Sequence, residues 1–507
     1  MRRTTNTLFW LLCSILAVRL ALTAVLPFFD TTEPRYAEIA RIMAETGDWI
    51  TPWFDFGVPF WGKPPLSFWA QALSFKWLGV TEFAGRLPSW LANAAIVYLV
   101  YAMTKSLYAR PDTDAARVSG LWAAVIYSTT ALGFVSAGTV MTDSFLALAT
   151  TLVIASLIIR LQGGSTVWGW AFFVGLAFGL LAKGPLTLVL TGLPVFAWVA
   201  LTRQWRTLWH SLPWLRGTLL MLTLALPWYI LAELKTPGFI DYFIVGEHIK
   251  RFIVSDWPGD LYGSAHDFTR GTIWLYMLLA SFPWGLVAVI GWVSTRRGAS
   301  KGKADTAWQL ERRGISGLIL AATLTPAIFF TFSGNILATY VLPGLPFLAV
   351  LTAGLLTGAG VGFNQKYALA VALVIPIVGT AAGAWYALNP EQLKTERELV
   401  ARVDALPEVS LDELFYLDKV PFSARFYSQG EIRAMTRDTL DRTLIQGAGN
   451  HALLIAVDNR NGAMIQALQA RGAEAVDGSK RYTVLRRSPT ADGVAHAGVH
   501  REAISGL

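Results

Sequence analysis

About eleven apolar stretches recur along the chain, at roughly 7–29, 86–104, 118–136, 143–160, 167–182, 186–202, 217–232, 272–293, 315–332, 338–357 and 367–388. At 1.5 Å rise per residue, a helix of about 20 residues crosses the hydrocarbon of a bilayer. Inside that medium every backbone N–H and C=O must find its partner within the protein, so segments of this length are expected to span as helices. The first stretch, behind Met1-Arg2-Arg3, is too long for the apolar core of a signal peptide and reads as a retained span. The expected fold class is therefore a polytopic α-helical membrane protein. Hydrophobic residues at 54%, with only 15% charged and 21 tryptophans, exclude a soluble globular chain.

Basic residues orient the spans. Arg2 and Arg3, then Lys105, Arg110 and Arg117, then Arg203, Arg206 and Arg216, and finally "STRRGASKGKADTAWQLERRG" at 294–314 all fall on one side if eleven spans alternate. That side is the cytoplasm, and the net charge of +8 is largely this topology signal, so no nucleic-acid partner is expected. Cys13 is the one cysteine, so no intramolecular disulfide forms. We find no repeat of 20 to 50 residues and no inverted pair of interrupted spans, which argues against the common transporter architectures.

The opposite side receives the loops 30–85 and 233–271 and everything after about 389. In the tail, "ELFYL", "HALLIAVDN" and "RYTVLRR" alternate with helical stretches such as 460–472, which predicts a small α/β domain. The expected domains are 1–388 for the membrane part, 389–488 for this α/β domain and 489–507 for a disordered tail. In the first outer loop, Pro34 sits early in a predicted helix that puts Tyr36, Ile39, Ala40 and Met43 on one face and Glu38, Arg41 and Glu45 on the other. This helix is expected to lie on the membrane surface with its charged face in water. A Lys63-Pro64-Pro65 turn and a second amphipathic helix rich in Trp and Phe follow.

The apolar run 7–29 ends directly in Asp30, Glu33 and Arg35. Carboxylates held at a membrane boundary suit the orienting and deprotonation of an acceptor hydroxyl, and nearby cations suit a leaving phosphate. The ordered strings "TEPRYAEIARIM", "GDWITPWF", "GVPFWGKPPLSFWAQALSFKWLGVTEFAGRLPS", "MTDSFLA", "LLAKGP", "GEHIKRF" and "TYVLPGLPFLAV" resemble the superfamily of aminoarabinose transferases and protein mannosyltransferases, which have the GT-C fold. The resemblance runs to about residue 390 and is most specific across 33–89. It implies transfer of a sugar from a polyprenyl-phosphate donor to lipid A, a related envelope glycolipid or a protein, on the periplasmic face of a bacterial inner membrane. By the same resemblance, Asp30 or Glu33 and Asp143 are the catalytic carboxylates. Arg35, Tyr36, Lys63, Lys183, His248, Arg251 and Tyr340 are implied to bind substrate, with Lys63, Arg251 and Tyr340 on the phosphate.

The chain also departs from the family's pattern. Thr32 stands where relatives often carry Asp, which is why the base is open between Asp30 and Glu33. Gly62 stands where aminoarabinose relatives carry a glutamate that joins the histidine of the Glu-His string on a metal, so no metal is expected at His248, and other divalent-metal dependence is left open. Ile336 and Ala338 replace a lysine and a proline of the phosphate region. The leading expectation is a glycosyltransferase acting on lipid A or a related glycolipid. Its alternatives are a protein O-mannosyltransferase and a transporter or flippase of lipid-linked sugars.

Overall fold

The computed structural model describes residues 2–108, 113–254, 257–263, 268–299, 314–357, 364–406, 409–446 and 453–487. The expected disordered tail and most of the basic loop 294–314 lie outside the described residues. Contacts divide the chain into two compact units, Met1–Val25 with Ile42–Ala384, and Leu26–Arg41 with Trp385–Leu507. The division near 388 expected from sequence falls four residues earlier, and 26–41 groups with the C-terminal residues.

In the first unit each of the eleven expected segments is helical, although 118–136 is two helices, Thr113–Ser128 and Ala131–Ser136. Among the described residues seven helices are long and apolar enough to cross a membrane: Arg3–Val25, Glu82–Leu107, Asp143–Leu161, Thr166–Lys183, Trp214–Lys235, Ala338–Thr357 and Gln365–Leu388. An eighth span is counted if Thr272–Ser281 and Trp284–Ser294, bent by 93° at their junction, act together. Pro283 explains the break, since it offers no N–H to continue the ladder. Leu186–Thr202 and Ile315–Phe330 are apolar but shorter. Asp143–Leu161 is the most enclosed span, and its Val153, Ile154, Leu157 and Ile158 sit in the main apolar core with Val100, Met103, Leu318 and Val350. Arg19 is buried inside the first span and donates from Nε and Nη2 to the carbonyls of Phe134 and Val135 at 2.8 and 2.9 Å. A cation at that depth is satisfied by backbone acceptors that its own bundle supplies.

The connection between the first span and Glu82–Leu107 includes a hairpin of β1 (Trp53–Asp55) and β2 (Val58–Pro59), followed by the Lys63 turn and a helix over Leu66–Leu78. That helix buries Phe68, Ala72 and Phe75 and leaves Trp77 and Leu78 exposed, as an interface-seeking helix does.

The second unit has a five-stranded sheet in the order β4-β3-β5-β7-β6, with β3 at Leu414–Leu417, β4 at Arg433–Met435, β5 at Leu453–Asp458, β6 at Glu474–Gly478 and β7 at Tyr482–Arg487. β3 runs parallel to β4 and β5, while β7 runs antiparallel to β5 and β6. The near-continuous apolar run of β5 follows from its central place. Leu454 and Ala456 pack with Leu399, Val403 and Tyr416 on one face, and Leu453, Ile455 and Val457 with Leu440 and Leu468 on the other.

One expectation is corrected. The helix Thr32–Thr46 forms as predicted and Glu45 is exposed, but Glu38 and Arg41 of its charged face are not in water. Glu33, Glu38 and Arg41 are 2–3% exposed, as enclosed as Ile39 and Ala40 opposite them. Glu38 and Arg41 form a bidentate pair, Nε to Oε2 and Nη2 to Oε1 both at 2.8 Å, and so satisfy each other away from solvent. A helical pattern identifies two faces but not what covers the polar one.

Candidate active site

Residues 53–63 are held by aromatic packing against 241–262. Phe60 and Phe54 lie against Tyr262, with ring centroids 4.7 and 5.3 Å apart, and Trp61 lies 6.0 Å from Tyr242. The Tyr262 hydroxyl donates to the carbonyl of Pro59 at 2.8 Å and accepts from the Trp61 N–H at 3.1 Å. Trp61 Nε1 donates to Thr236 Oγ1 at 3.1 Å. These contacts deliver Lys63, two residues beyond Trp61, to the segment Asp241–Lys250.

That segment is a π-helix of ten residues, a form that is rare and usually a single turn, and that recurs at functional sites. Its i→i+5 register brings Tyr242 onto Glu247 and Phe243 onto His248. Glu247 is the center of the cluster. Its Oε2 accepts from Lys63 Nζ at 2.8 Å, and both its oxygens lie 3.0 Å from Arg251 Nη1. Arg251 Nη2 also faces Asp260 at 3.4 Å. Burial alone would push the Glu247 carboxyl up, but Lys63 and Arg251 hold it down at about 2, so it is ionised throughout the physiological range. Arg251 is fixed from behind. Asn335 Nδ2 donates to its carbonyl at 2.6 Å, and the Gly334 N–H donates to that of Phe252 at 2.7 Å. Nε of Arg251 is buried and has no acceptor among the described residues.

A second charged pair adjoins this one. Lys183, at the end of the span Thr166–Lys183, forms an ion pair with Asp143, which opens the span Asp143–Leu161, and both side chains are nearly buried. Lys183 therefore points inward rather than snorkelling. Its Nζ stands 5.0 Å from the ring centroid of Tyr340, which lies in the field of Arg251 as well. His248 joins the two clusters, because it follows Glu247 and its Nε2 lies 3.1 Å from the carbonyl of Lys183.

Of the residues expected in the site, Lys63, Asp143, Lys183, His248, Arg251 and Tyr340 thus gather in the first unit. Glu247, Asp260 and Asn335 were not foreseen. Glu247 stands inside the quoted string "GEHIKRF", but its partner Lys63 is 184 residues away and no local pattern links the two.

A metal does not fit at His248. Its Nδ1 and Nε2 both lie against backbone carbonyls, of Phe243 at 2.7 Å and Lys183 at 3.1 Å, and burial holds the imidazole below its ordinary value. The neighbouring carboxylate is engaged by two cations, and among the described residues no three His, Cys, Asp or Glu side chains gather.

Asp30, Glu33, Arg35 and Tyr36 belong to the second unit. Asp30 accepts from the backbone N–H and the hydroxyl of Ser423, both at 2.8 Å, and from Arg481 Nη1 at 2.8 Å. Arg481 also faces the buried Glu396 at 3.3 Å. Arg35 lies over the rings of Tyr36 and Phe422 at 4.9 and 5.7 Å. Glu33 is buried in the first turn of the helix Thr32–Thr46.

Residues 4–243 match the family model described as dolichyl-phosphate-mannose-protein mannosyltransferase. The undecaprenyl phosphate-alpha-4-amino-4-deoxy-L-arabinose arabinosyl transferase of Aeromonas hydrophila is 30% identical over 333 residues, 64% of this chain and 56% of the relative. Its counterpart from Erwinia tasmaniensis is 30% identical over 380 residues, 70% of this chain and 63% of the relative. The chain therefore spans less than two thirds of these relatives' length. Crystal structures of ArnT from Cupriavidus metallidurans, bound to undecaprenyl phosphate and in the apo state, superpose with TM-scores of 0.74 and 0.71. Identity is 16% in both, and the match covers 95% of this chain and 98% of that one. The fold is shared, and with it the multi-pass membrane architecture.

Proposed function

We propose that this chain, which belongs to the GT-C superfamily of aminoarabinose transferases and dolichyl-phosphate-mannose protein mannosyltransferases, is a glycosyltransferase. It moves a sugar from a polyprenyl-phosphate donor to lipid A or a related envelope glycolipid at the periplasmic face of a bacterial inner membrane. The observation that carries this reading is the pairing of Lys63 and Arg251 on one buried carboxylate. Two cations with donors still to give, beside the Asp143–Lys183 pair, form a site for a phosphate whose charge grows as the sugar leaves.

In the reaction, the acceptor hydroxyl attacks the anomeric carbon, the bond from that carbon to the phosphate oxygen breaks, and its electron pair leaves on the polyprenyl phosphate. Lys63 and Arg251 meet the developing charge. Asp143, held by Lys183, orients the acceptor. The hydroxyl proton goes to a carboxylate of the first outer loop. Asp30 and Glu33 are the candidates for that base; Asp30 also accepts from Ser423 and Arg481, which supports it as an anchor of the loop.

The purified protein in nanodiscs, given a radiolabelled undecaprenyl-phosphate sugar and lipid A, should label the lipid. Mass spectrometry of envelope glycans with and without the protein identifies the sugar. The match of 4–243 to the mannosyltransferase family favours a second acceptor, a peptide hydroxyl. Label in protein but not lipid would select it, and label in neither would refute the reading.

A further inference from the structure

We infer that Glu247 is an internal counter-anion of the phosphate site, which holds Lys63 and Arg251 in place when no donor is bound and competes with phosphate for them, so that the polyprenyl phosphate product is released. The inference rests on the transferase reading above.

One carboxylate group sets the separation of the two cations. Lys63 Nζ is 2.8 Å from one oxygen, and Arg251 Nη1 is 3.0 Å from both. The side chain of Glu247 is 5% exposed, against 17% for Lys63 and 19% for Arg251, so the anion lies behind the cations as seen from solvent. With Asp260 on the far side of Arg251, the four charges cancel. A site built only to attract phosphate has no use for two acids. A site that must also let phosphate go does.

The chemistry sets that requirement. A sugar phosphodiester carries one negative charge, and the cleavage that transfers the sugar leaves a monoester with up to two. Cations alone would hold the product more tightly than the substrate, and the enzyme would stall on it. An anion fixed behind the same cations lowers the potential felt by both lipids, and it acts more strongly on the doubly charged one. Glu247 also leaves the site usable. Lys63 Nζ has three hydrogens and gives two of its bonds to Gly62 and Glu247, and Arg251 Nε has no acceptor among the described residues. The donor phosphate can therefore be bound without expelling Glu247.

The test compares wild-type protein and Glu247→Gln in nanodiscs at pH 8, with binding of labelled undecaprenyl phosphate and rates of the first and later turnovers as readouts. Glu247→Gln should bind undecaprenyl phosphate at least tenfold more tightly and show a burst followed by slower steady turnover. A glutamate that served only as scaffold would give the opposite sign, so equal or weaker binding by the variant overturns the inference. A second measurement uses the wild type alone. The dianionic undecaprenyl phosphate and its monoanionic methyl ester should bind within tenfold of each other, and a larger preference for the dianion overturns the inference even if the variant does not fold. Wild-type protein that binds neither lipid removes the transferase reading itself.

Discussion

Replacing Glu396 by Gln should make the second unit more stable at pH 8 and remove most of its dependence on pH between 5 and 7. Glu396 is fully buried. Burial pushes its carboxyl from the ordinary 4.5 up to about 7; Arg481, the Ser479 hydroxyl and Arg402 offset only part of this, and the like charge of Asp30 adds to the rise. The folded state thus holds a proton that the unfolded state has already lost between these two values. The resulting stability is complete below about pH 4.5 and disappears as pH rises through 7. A rise of that size corresponds to about 3 kcal/mol, or a change on the order of a hundredfold in the opening equilibrium. Glutamine carries no charge at any pH, and Arg481 keeps its 2.8 Å contact with Asp30. We expect a gain of about 1–2 kcal/mol at pH 8, less than the full amount because the amide cannot match a carboxylate toward Arg481. Amide hydrogen exchange of the intact protein in nanodiscs, corrected for intrinsic rates, reads this directly at the central strand Leu453–Asp458. Wild-type protection should fall from pH 5 to pH 7.5 while that of the variant stays nearly level. Faster exchange in Glu396→Gln than in wild type at pH 8, or an unchanged pH slope, would refute the reasoning.

Lys63→Ala should lower turnover on the order of a hundredfold with little loss of thermal stability, because Glu247 keeps its two contacts with Arg251; full transfer by the folded variant would discard the phosphate assignment. Asp30→Asn places an amide against the Ser423 hydroxyl and Arg481 and should cost the second unit about 2–3 kcal/mol. Ser423→Ala should then show a milder form of the same destabilisation. An inactive Asp30→Asn whose exchange pattern is unchanged would instead return Asp30 to the chemistry. For topology, in a Cys13→Ser background, Glu45→Cys and Asp438→Cys should react with an impermeant thiol reagent in spheroplasts while Arg206→Cys is protected; the reverse pattern would invert the membrane orientation.

What could be read from the sequence was what a local pattern determines. Each apolar run of spanning length marked a helical segment, because a bilayer imposes one solution on the backbone. Three strands of the tail, β3, β5 and β7, were equally legible from their short β-rich runs, whereas the short edge strands β4 and β6 were not. The pairings that make the site were not. Lys63 meets Glu247 across 184 residues, and Asp30 meets Ser423 and Arg481 across 393 and 451. No periodicity records such a distance. The resemblance to known transferases supplied Lys63 and Arg251 as phosphate ligands, yet said nothing of the carboxylate between them. Asp30 looked catalytic because it stands where an apolar run stops. What decides its partners is a domain folded from the other end of the chain.

The wide turn of residues 241–250 makes chain length itself a functional quantity. A π-helix differs from an α-helix by a single extra residue, so one deletion between Asp241 and Gly246 would let ordinary i→i+4 bonds form. The backbone would be the better for it. Every side chain beyond the deletion would turn with respect to its surroundings, taking Glu247 off Lys63 and the His248 ring off the backbone of Lys183. No substitution at either position repairs such a shift, since the error lies in phase and not in chemistry. In a segment outside the spans, where gaining or losing a residue is ordinarily the mildest of changes, descent can therefore exchange side chains far more readily than it can alter their number.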